Sequence, residues 1–410
     1  MAIEVCKGFF DAMSRVRESG PALSRRALVA SFGLGTLAWA GQGTALRGVV
    51  SSPQRPDRRL VVIFLRGGAD GLTLVPPVFE DAYYRARPGL SIAKPNDRSQ
   101  SVRTIDLDGR FGLHPSLAPI LPLYREGKLR ITHAVGSQDN TRSHFEAMAA
   151  MEHGAPREGV GPTGGWLARY LEETAHPADS PLRAVALGNV MPQSLRGAAK
   201  ATQLESLKDY RLREDITAEL RKMYGVGKDL ASEAGRQTLD ALAALGAAKP
   251  TEGGHYPDTA LGKGLRDAAA LLRTDAGVEA ITLDHGVWDT HVAQGKESGW
   301  MPTLMDELAR SLAAFVEDLG SEFERTRIVV ISEFGRRVAE NSGLGTDHGR
   351  GTAMFTLGGN VEGGVVETRW PGLRPEDLEG PGDLKVTTDY REILTDALPM
   401  TVAGVFPGWA

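Results

Sequence analysis

The 410-residue chain has one cysteine, Cys6, close to its N-terminus. The body of the chain can therefore form neither a disulfide nor a thiolate metal site. An excess of positive charge is also missing. The formal net charge is -5; residues 1–45 carry a net of +2, which leaves the rest at -7. A mildly acidic body with no basic stripe argues against a nucleic-acid partner. No apolar run approaches the roughly 20 residues a membrane span requires. No Gly-x-Ser-x-Gly elbow, Walker loop or His-Glu-x-x-His pair is present, and there is no internal repeat or low-complexity tract. At 41% hydrophobic and 24% charged residues the chain is globular, with enough material for one large domain or two ordinary ones.

The first 45 residues read as a targeting segment. Arg25-Arg26 opens an apolar stretch, Ala27 to Ala40, that leaves through Ala38-Trp39-Ala40 and a small-residue run. A charged start, a short apolar middle and a small-residue exit fit a twin-arginine signal peptide, and hence a periplasmic or secreted protein that meets the twin-arginine export machinery. The alternative is an amphipathic N-terminal helix. Gly33-Leu34-Gly35-Thr36-Leu37-Ala38 matches a dinucleotide fingerprint, but no strand precedes it and it is set aside.

Residues 46–410 alternate apolar runs with helical patterns. Leu60–Leu65, Lys128–Val135, Leu182–Leu187, Val278–Leu283, Arg327–Ile331 and Ala353–Leu357 read as strands, and Val361–Glu367 as an edge ribbon. Helices are expected near 117–126, from Ser143, and over 166–174, 258–273, 302–319 and 390–398. The alternation predicts an α/β fold: a doubly wound, mostly parallel sheet flanked by helices. Residues 203–248, rich in Ala, Leu, Glu, Lys and Arg and broken at Gly225-Val226-Gly227, read as a helical hairpin inserted at the rim of the site.

Three strands end in chemistry. Leu60–Leu65 runs into Arg66-Gly67-Gly68-Ala69-Asp70-Gly71. Val278–Leu283 runs into Asp284, His285, Asp289 and His291. Arg327–Ile331 runs into Ser332-Glu333-Phe334-Gly335-Arg336-Arg337. In open α/β sheets ligands bind beyond the carboxyl ends of the strands, so one shared site is expected there. Asp70 is either a ligand or a turn aspartate bonded to its own backbone. In extended backbone Asp289 and His291 point the same way and can reach one ion. Asp284 and His285 are either ligands or supports of ligands. Glu333 is a ligand or a partner of Arg336 or Arg337. Gly-flanked Asp347-His348 is a metal or proton-transfer element, or a plain loop. Ser143 with Glu146 is a capping box; a hydroxyl at a helix N-terminus also suits an oxyanion or a nucleophile. Arg142 and His144 could clamp or protonate a phosphate or sulfate. His114, His133, His153, His176 and His255 stand alone and are read as structural or solvated.

The phrases Phe64–Gly71, Phe111–Pro115, Ser143–Glu146, Trp288–His291, Ser332–Arg336 and Gly345–Gly349 together resemble a bacterial domain-of-unknown-function family. Many of its members carry twin-arginine leaders, and it is grouped with the alkaline phosphatase-like and sulfatase superfamily. The resemblance implies a doubly wound sheet, one or two divalent metals at the strand ends, and a Ser, Thr or modified Cys nucleophile. By position Asp70 looks like the first-strand metal ligand and Ser143 like the nucleophile. Asp289, His291 and His348 look like one metal set, with Glu333 and Asp70 in the other. The superfamily often has Asp-His where this chain has Glu333-Phe334, and the spacing of Asp289 and His291 is short; His144 or Asp347 would compensate, or the site holds one metal or is degenerate. With no Cys near Ser143, a formylglycine sulfatase is excluded. The implied activity is metal-dependent hydrolysis of a phosphate or sulfate ester on an anionic small molecule or glycan. Zinc is the first choice of metal and manganese, magnesium or calcium the others, with Arg142 or Arg336 adding charge. The alternative is a scaffold without catalysis that binds an anionic glycan or an envelope protein.

Overall fold

A computed structural model of the chain describes residues 57–154, 164–175, 180–207, 214–227, 229–250, 254–274, 276–399 and 404–409. The leader, residues 1–45, lies outside them, as does His176. Among the described residues no helix is long and apolar enough to cross a membrane.

The strands are β1 (Arg59–Leu65), β2 (Ile105–Asp106), β3 (Gly112–Leu113), β4 (Leu129–Gly136), β5 (Ala184–Leu187), β6 (Ala201–Leu204), β7 (Ala280–His285), β8 (Thr326–Ser332), β9 (Thr352–Leu357), β10 (Val365–Glu367) and β11 (Thr388–Asp389). The helices are α1 (Gly71–Leu74), α2 (Asp81–Ala86), α3 (Leu121–Arg125), α4 (His144–His153), α5 (Trp166–Glu173), α6 (Glu214–Gly225), α7 (Leu230–Ala247), α8 (Ala260–Leu272), α9 (Trp300–Leu319) and α10 (Tyr390–Ala397).

One nine-stranded sheet carries the main unit, in the order β10-β4-β9-β8-β1-β7-β5-β6, with β11 also on β4. β1 lies at its centre, parallel to both β7 and β8. Every residue of β1 is buried, because it is covered on both faces. Val61, Ile63 and Leu65 face the core built with α8 and α9; Leu60, Val62 and Phe64 face the one built with α5 and α10. Burying each such side chain contributes about 1.5–3 kcal/mol, which is why no polar residue interrupts Leu60–Leu65. The doubly wound, mostly parallel sheet expected from the sequence is the one observed.

β9 is antiparallel to both its neighbours, β4 and β8, and so runs against the rest of the sheet. Its first residue therefore lies at the same end as the last residues of β1, β7 and β8. That reversal brings the loop holding Asp347 and His348 to the site.

Some expected boundaries are corrected. The 117–126 helix is a 3-10 turn, Pro115–Ile120, followed by the short α3, because Pro119 and Pro122 interrupt it. The His114 ring caps this turn by accepting from the Ser116 N–H. Residues 203–204 belong to β6 rather than to the helical hairpin. The described residues 214–227 and 229–240 belong to a second compact unit. Within it Arg221 pairs with Asp240 at 3.0 Å, and Arg236 Nη1 donates to the Tyr224 carbonyl at 2.6 Å.

Two of the solitary histidines are structural. The His133 ring donates to the Val75 carbonyl (3.0 Å), accepts from the Ala134 N–H (2.7 Å), and packs against Phe111 and Trp370. His114 contacts the Lys296 carbonyl at 2.9 Å. Burial pushes both imidazoles down to about 4 from an ordinary 6.5. The unfolded chain then takes up these protons first, so stability falls as pH drops from about 6.5 to about 4. Urea midpoints at pH 7.5 and pH 5 should show the loss, and a His133→Gln variant a shallower one; equal midpoints would contradict neutral burial.

Candidate metal centre

The loops after β1, β7 and β8 approach one another more closely than side chains would allow. Gly67 has φ +120°, and a Cβ on it would stand 2.6 Å from the Asp289 nitrogen. One on Gly345 would stand 2.3 Å from the His291 carbonyl carbon. These glycines seat the first-strand loop and the 345–348 loop against the segment that carries Asp289 and His291.

His144, Asp289 and His348 offer ligand atoms that all lie within 4.8 Å of one another. His291 completes the group: its Nε2 is 2.8 Å from His348 Nε2 and 3.1 Å from Asp289 Oδ1. His348 Nε2 stands 3.2 Å from the same oxygen, and His144 Nε2 3.4 Å from Asp289 Oδ2.

The other ring nitrogens fix the chemistry. His144 Nδ1 is 2.7 Å from Glu333 Oε1, His348 Nδ1 is 2.8 Å from the Arg142 carbonyl, and His291 Nδ1 is 3.4 Å from Asp347 Oδ1. Carboxylates and carbonyls only accept, so the Nδ1 atoms of His144 and His348 donate to Glu333 and to the Arg142 carbonyl, which leaves their Nε2 atoms on the Asp289 side. Metal-binding histidines are held by this arrangement. The 2.8 Å between His291 Nε2 and His348 Nε2 suits either an N–H···N hydrogen bond or a shared cation. His144 Nε2 is buried with no hydrogen-bond partner. Three imidazoles and one carboxylate are a donor set that zinc takes.

Charge follows the same logic. Burial pushes the Asp289 carboxyl up, but the hydrogen bond and charge of Arg336 outweigh it and bring it down to about 2. Burial lowers His348, while the Glu333 hydrogen bond raises His144. Asp347 is lowered chiefly by the Asn341 amide, which donates to it at 2.9 Å.

The loops are strained where they carry these groups. Val287, Ala293 and Leu344 all have positive φ without being glycine, at 65°, 49° and 54°. Such positions cost on the order of 1–3 kcal/mol each and persist only where the surroundings over-determine them.

Other expected residues take different roles. Asp70 is a correction: it is 1% exposed and paired bidentately with Arg87, at 2.6 and 3.0 Å. Thr73 and Gln294 occupy the same carboxylate, at 2.7 and 2.9 Å. Burial pushes its carboxyl up, but the Arg87 charge outweighs that and holds it below the ordinary range. Asp70 thus does not join Glu333 as a second ligand pair. Glu333, also buried, accepts from the Gly67 N–H at 2.8 Å and from Ser332, and supports His144 rather than meeting the other ligands.

Neither arginine proposed as a clamp is free. Arg142 is bound to Asp383. Arg336 is 1% exposed and donates to the carbonyls of Gly67, Gly68, Trp288 and Thr346 as well as to Asp289 (2.7 Å). Ser143 is the N-cap residue of α4 but makes no side-chain cap hydrogen bond, and Glu146 accepts instead from Thr141 at 2.8 Å. The capping box is therefore not formed. Ser143 lies between the carbonyl that holds His348 and the ring that meets Asp289. Asp284 pairs with Arg66 at 2.9 Å, and His285 is buried 3.5 Å from Glu307; both stand outside the ligand group.

Reading the sequence missed Arg87, Asp383, Gln294, Thr290 and Thr346. The first two are single charges in segments without periodicity. The last three are uncharged and gave no signal beyond lying beside Asp289, His291 and Asp347.

A model of a family described as a protein of unknown function, DUF1501, matches residues 57–398, and the chain belongs to that family. No curated protein matches it. Among solved structures, a protein in the alkaline phosphatase superfamily from Vibrio parahaemolyticus is similar at 11% identity and TM-score 0.35, with 78% of this chain and 64% of that one covered. The chain thus spans a little under two thirds of that protein. A sulfatase candidate from Bacteroides thetaiotaomicron VPI-5482 is similar at 10% identity and TM-score 0.35, covering 84% and 72%. Ps i-CgsB in complex with k-i-k-neocarrahexaose is similar at 12% identity and TM-score 0.30, covering 77% and 68%.

Proposed function

For this member of the family we propose a hydrolase of phosphate or sulfate esters that depends on one divalent metal, zinc first, held by His144, Asp289, His291 and His348. The observation that carries the reading is the convergence of three Nε2 atoms on Asp289 with each Nδ1 held on an acceptor. Asp70 and Glu333 are engaged elsewhere, which favours one ion over two. When bound, such an ion lowers the pKa of a hydroxyl or water and offsets charge on the substrate's oxygens.

Ser143 is the nucleophile of this proposal. Its hydroxyl is not spent on capping, and the first N–H groups of α4 have no partners within the helix and can receive an oxyanion. His144 holds the ion through Nε2 while Glu333 engages its Nδ1 at 2.7 Å, so the leaving oxygen takes its proton from water rather than from this ring. Arg337 takes the part first given to Arg142 and Arg336. It stands 3.5 Å from Asp347, and its Nε has no partner. In this proposal the substrate is an anionic ester of a small molecule or glycan, met in the periplasm or outside the cell, as the twin-arginine reading of residues 1–45 would have it.

A binding scaffold without turnover is the second reading, favoured by the engagement of Arg142 and Arg336 away from substrate. Purified protein should hold about one zinc per chain and turn over members of an aryl phosphate and aryl sulfate panel. Ser143→Ala should then cut kcat by about 10²-fold or more while metal content stays unchanged. Metal with binding but no turnover selects the scaffold; no metal at all rejects both forms of the centre.

A further inference from the structure

Behind the ligands lies a buried amide with every hydrogen-bonding position used. Gln294 is 0% exposed. Its Oε1 accepts from Thr290 Oγ1 at 2.9 Å and Thr346 Oγ1 at 2.7 Å. Its Nε2 donates to Asp70 Oδ2 at 2.9 Å and Thr73 Oγ1 at 3.1 Å. Asp70, ionised beside Arg87, can only accept, so the amide has one orientation and both threonine hydroxyls are obliged to point at it.

Those two threonines are not placed at random. Thr290 stands between Asp289 and His291; Thr346 precedes Asp347 and His348. Thr290 and Thr346 are themselves buried, and the Thr346 N–H donates to the Thr290 carbonyl at 3.2 Å. The backbone on either side is left-handed, at Ala293 and Leu344, and the Gln294 N–H donates to the Leu344 carbonyl at 2.9 Å. A strained connection keeps its shape only if something nearby determines it. The saturated amide is the group that touches both loops and the first-strand residue Asp70.

We propose that Gln294 is a positioning residue: anchored by Asp70 and Thr73, it sets the spacing between His291 and His348 through Thr290 and Thr346. Only the identity of what the loops hold rests on the metal reading above; the positioning itself does not. Asp70 enters the centre through this route, at two removes, rather than as a ligand. A fully satisfied network of this kind selects one arrangement of the loops, because any shift leaves a buried polar atom unpaired.

The test uses Thr290→Val and Thr346→Val, which remove one hydrogen bond each with little change of shape. Gln294→Met removes all four. Thr132→Val, at another buried threonine whose hydroxyl has no partner, is the control. Long-range proton–nitrogen spectra of histidine-labelled, metal-free protein read the ring nitrogens directly. Thr346→Val should move the His348 signals and Thr290→Val the His291 signals, while Thr132→Val moves neither. Co(II) titration of the same proteins should show affinity falling by about tenfold in the two site variants, the low end of the range for groups bonded to a ligand, since neither hydroxyl touches a ring. The cobalt absorption band should change with it. Wild-type ring signals in both site variants would overturn the proposal, whatever their melting temperatures. A wild-type chain that takes up no Co(II) removes the metal reading instead, and the ring signals still decide the role of Gln294.

Discussion

If the proposed centre holds a divalent ion, Asp289→Ala protein should emerge from dialysis without it while the wild-type chain keeps it. Losing a group behind a ligand already costs about 10–100-fold in affinity, and Asp289 is the ligand itself, so the loss should be at least that large. The fold should survive. Arg336 loses its carboxylate but keeps four backbone carbonyls. The Asp289 side chain is 44% exposed, so water reaches the position it leaves. Metal content by elemental analysis and melting by circular dichroism separate the two effects. Retention of the ion with a collapsed melting temperature would make Asp289 a partner of Arg336 and nothing more.

Asp70→Ala should give the opposite pattern. Arg87 is 0% exposed, and without Asp70 its charge stays buried beside Thr73, the carbonyls of Arg337 and Val338 and the Tyr83 ring, with no carboxylate bonded to it. Removing one partner of a buried ion pair costs about 3–5 kcal/mol, because the remaining charge is uncompensated. Urea unfolding should show that loss, and Arg87→Met a similar one. The double variant should lose less than the sum of the two, since the partners are in direct contact. Metal affinity should fall by less than in Asp289→Ala, through the Gln294 network alone. Unchanged stability together with loss of the ion would restore Asp70 as a ligand.

These two aspartates mark how far the sequence could be read. The strand ends were legible because β1 and β8 carry unbroken apolar runs and β7 a largely apolar one, each followed at once by ionisable residues, a pattern no packed core requires. The reversal of β9 was not. A buried antiparallel strand and a buried parallel one carry the same apolar run, and only pairing distinguishes them. Asp70 was misread because its partner, Arg87, lies 17 residues on, in a proline-containing stretch with no periodicity. The Ser143 box failed for a local reason: Thr141 takes the Glu146 carboxylate first. A complete box does form at Asp389 and Glu392 at the start of α10, where nothing functional drew the eye. Arg336 was recognised as important and given the wrong task, because its four carbonyl partners come from three loops that only the folded chain assembles.

The cross-links made by Arg336 and Gln294 bear on how an ion would come and go. Both join the loops through the protein's own hydrogen bonds, with no ion needed to bridge them. If the proposed ion binds there, chelating it should leave the fold and the arrangement of these loops unchanged.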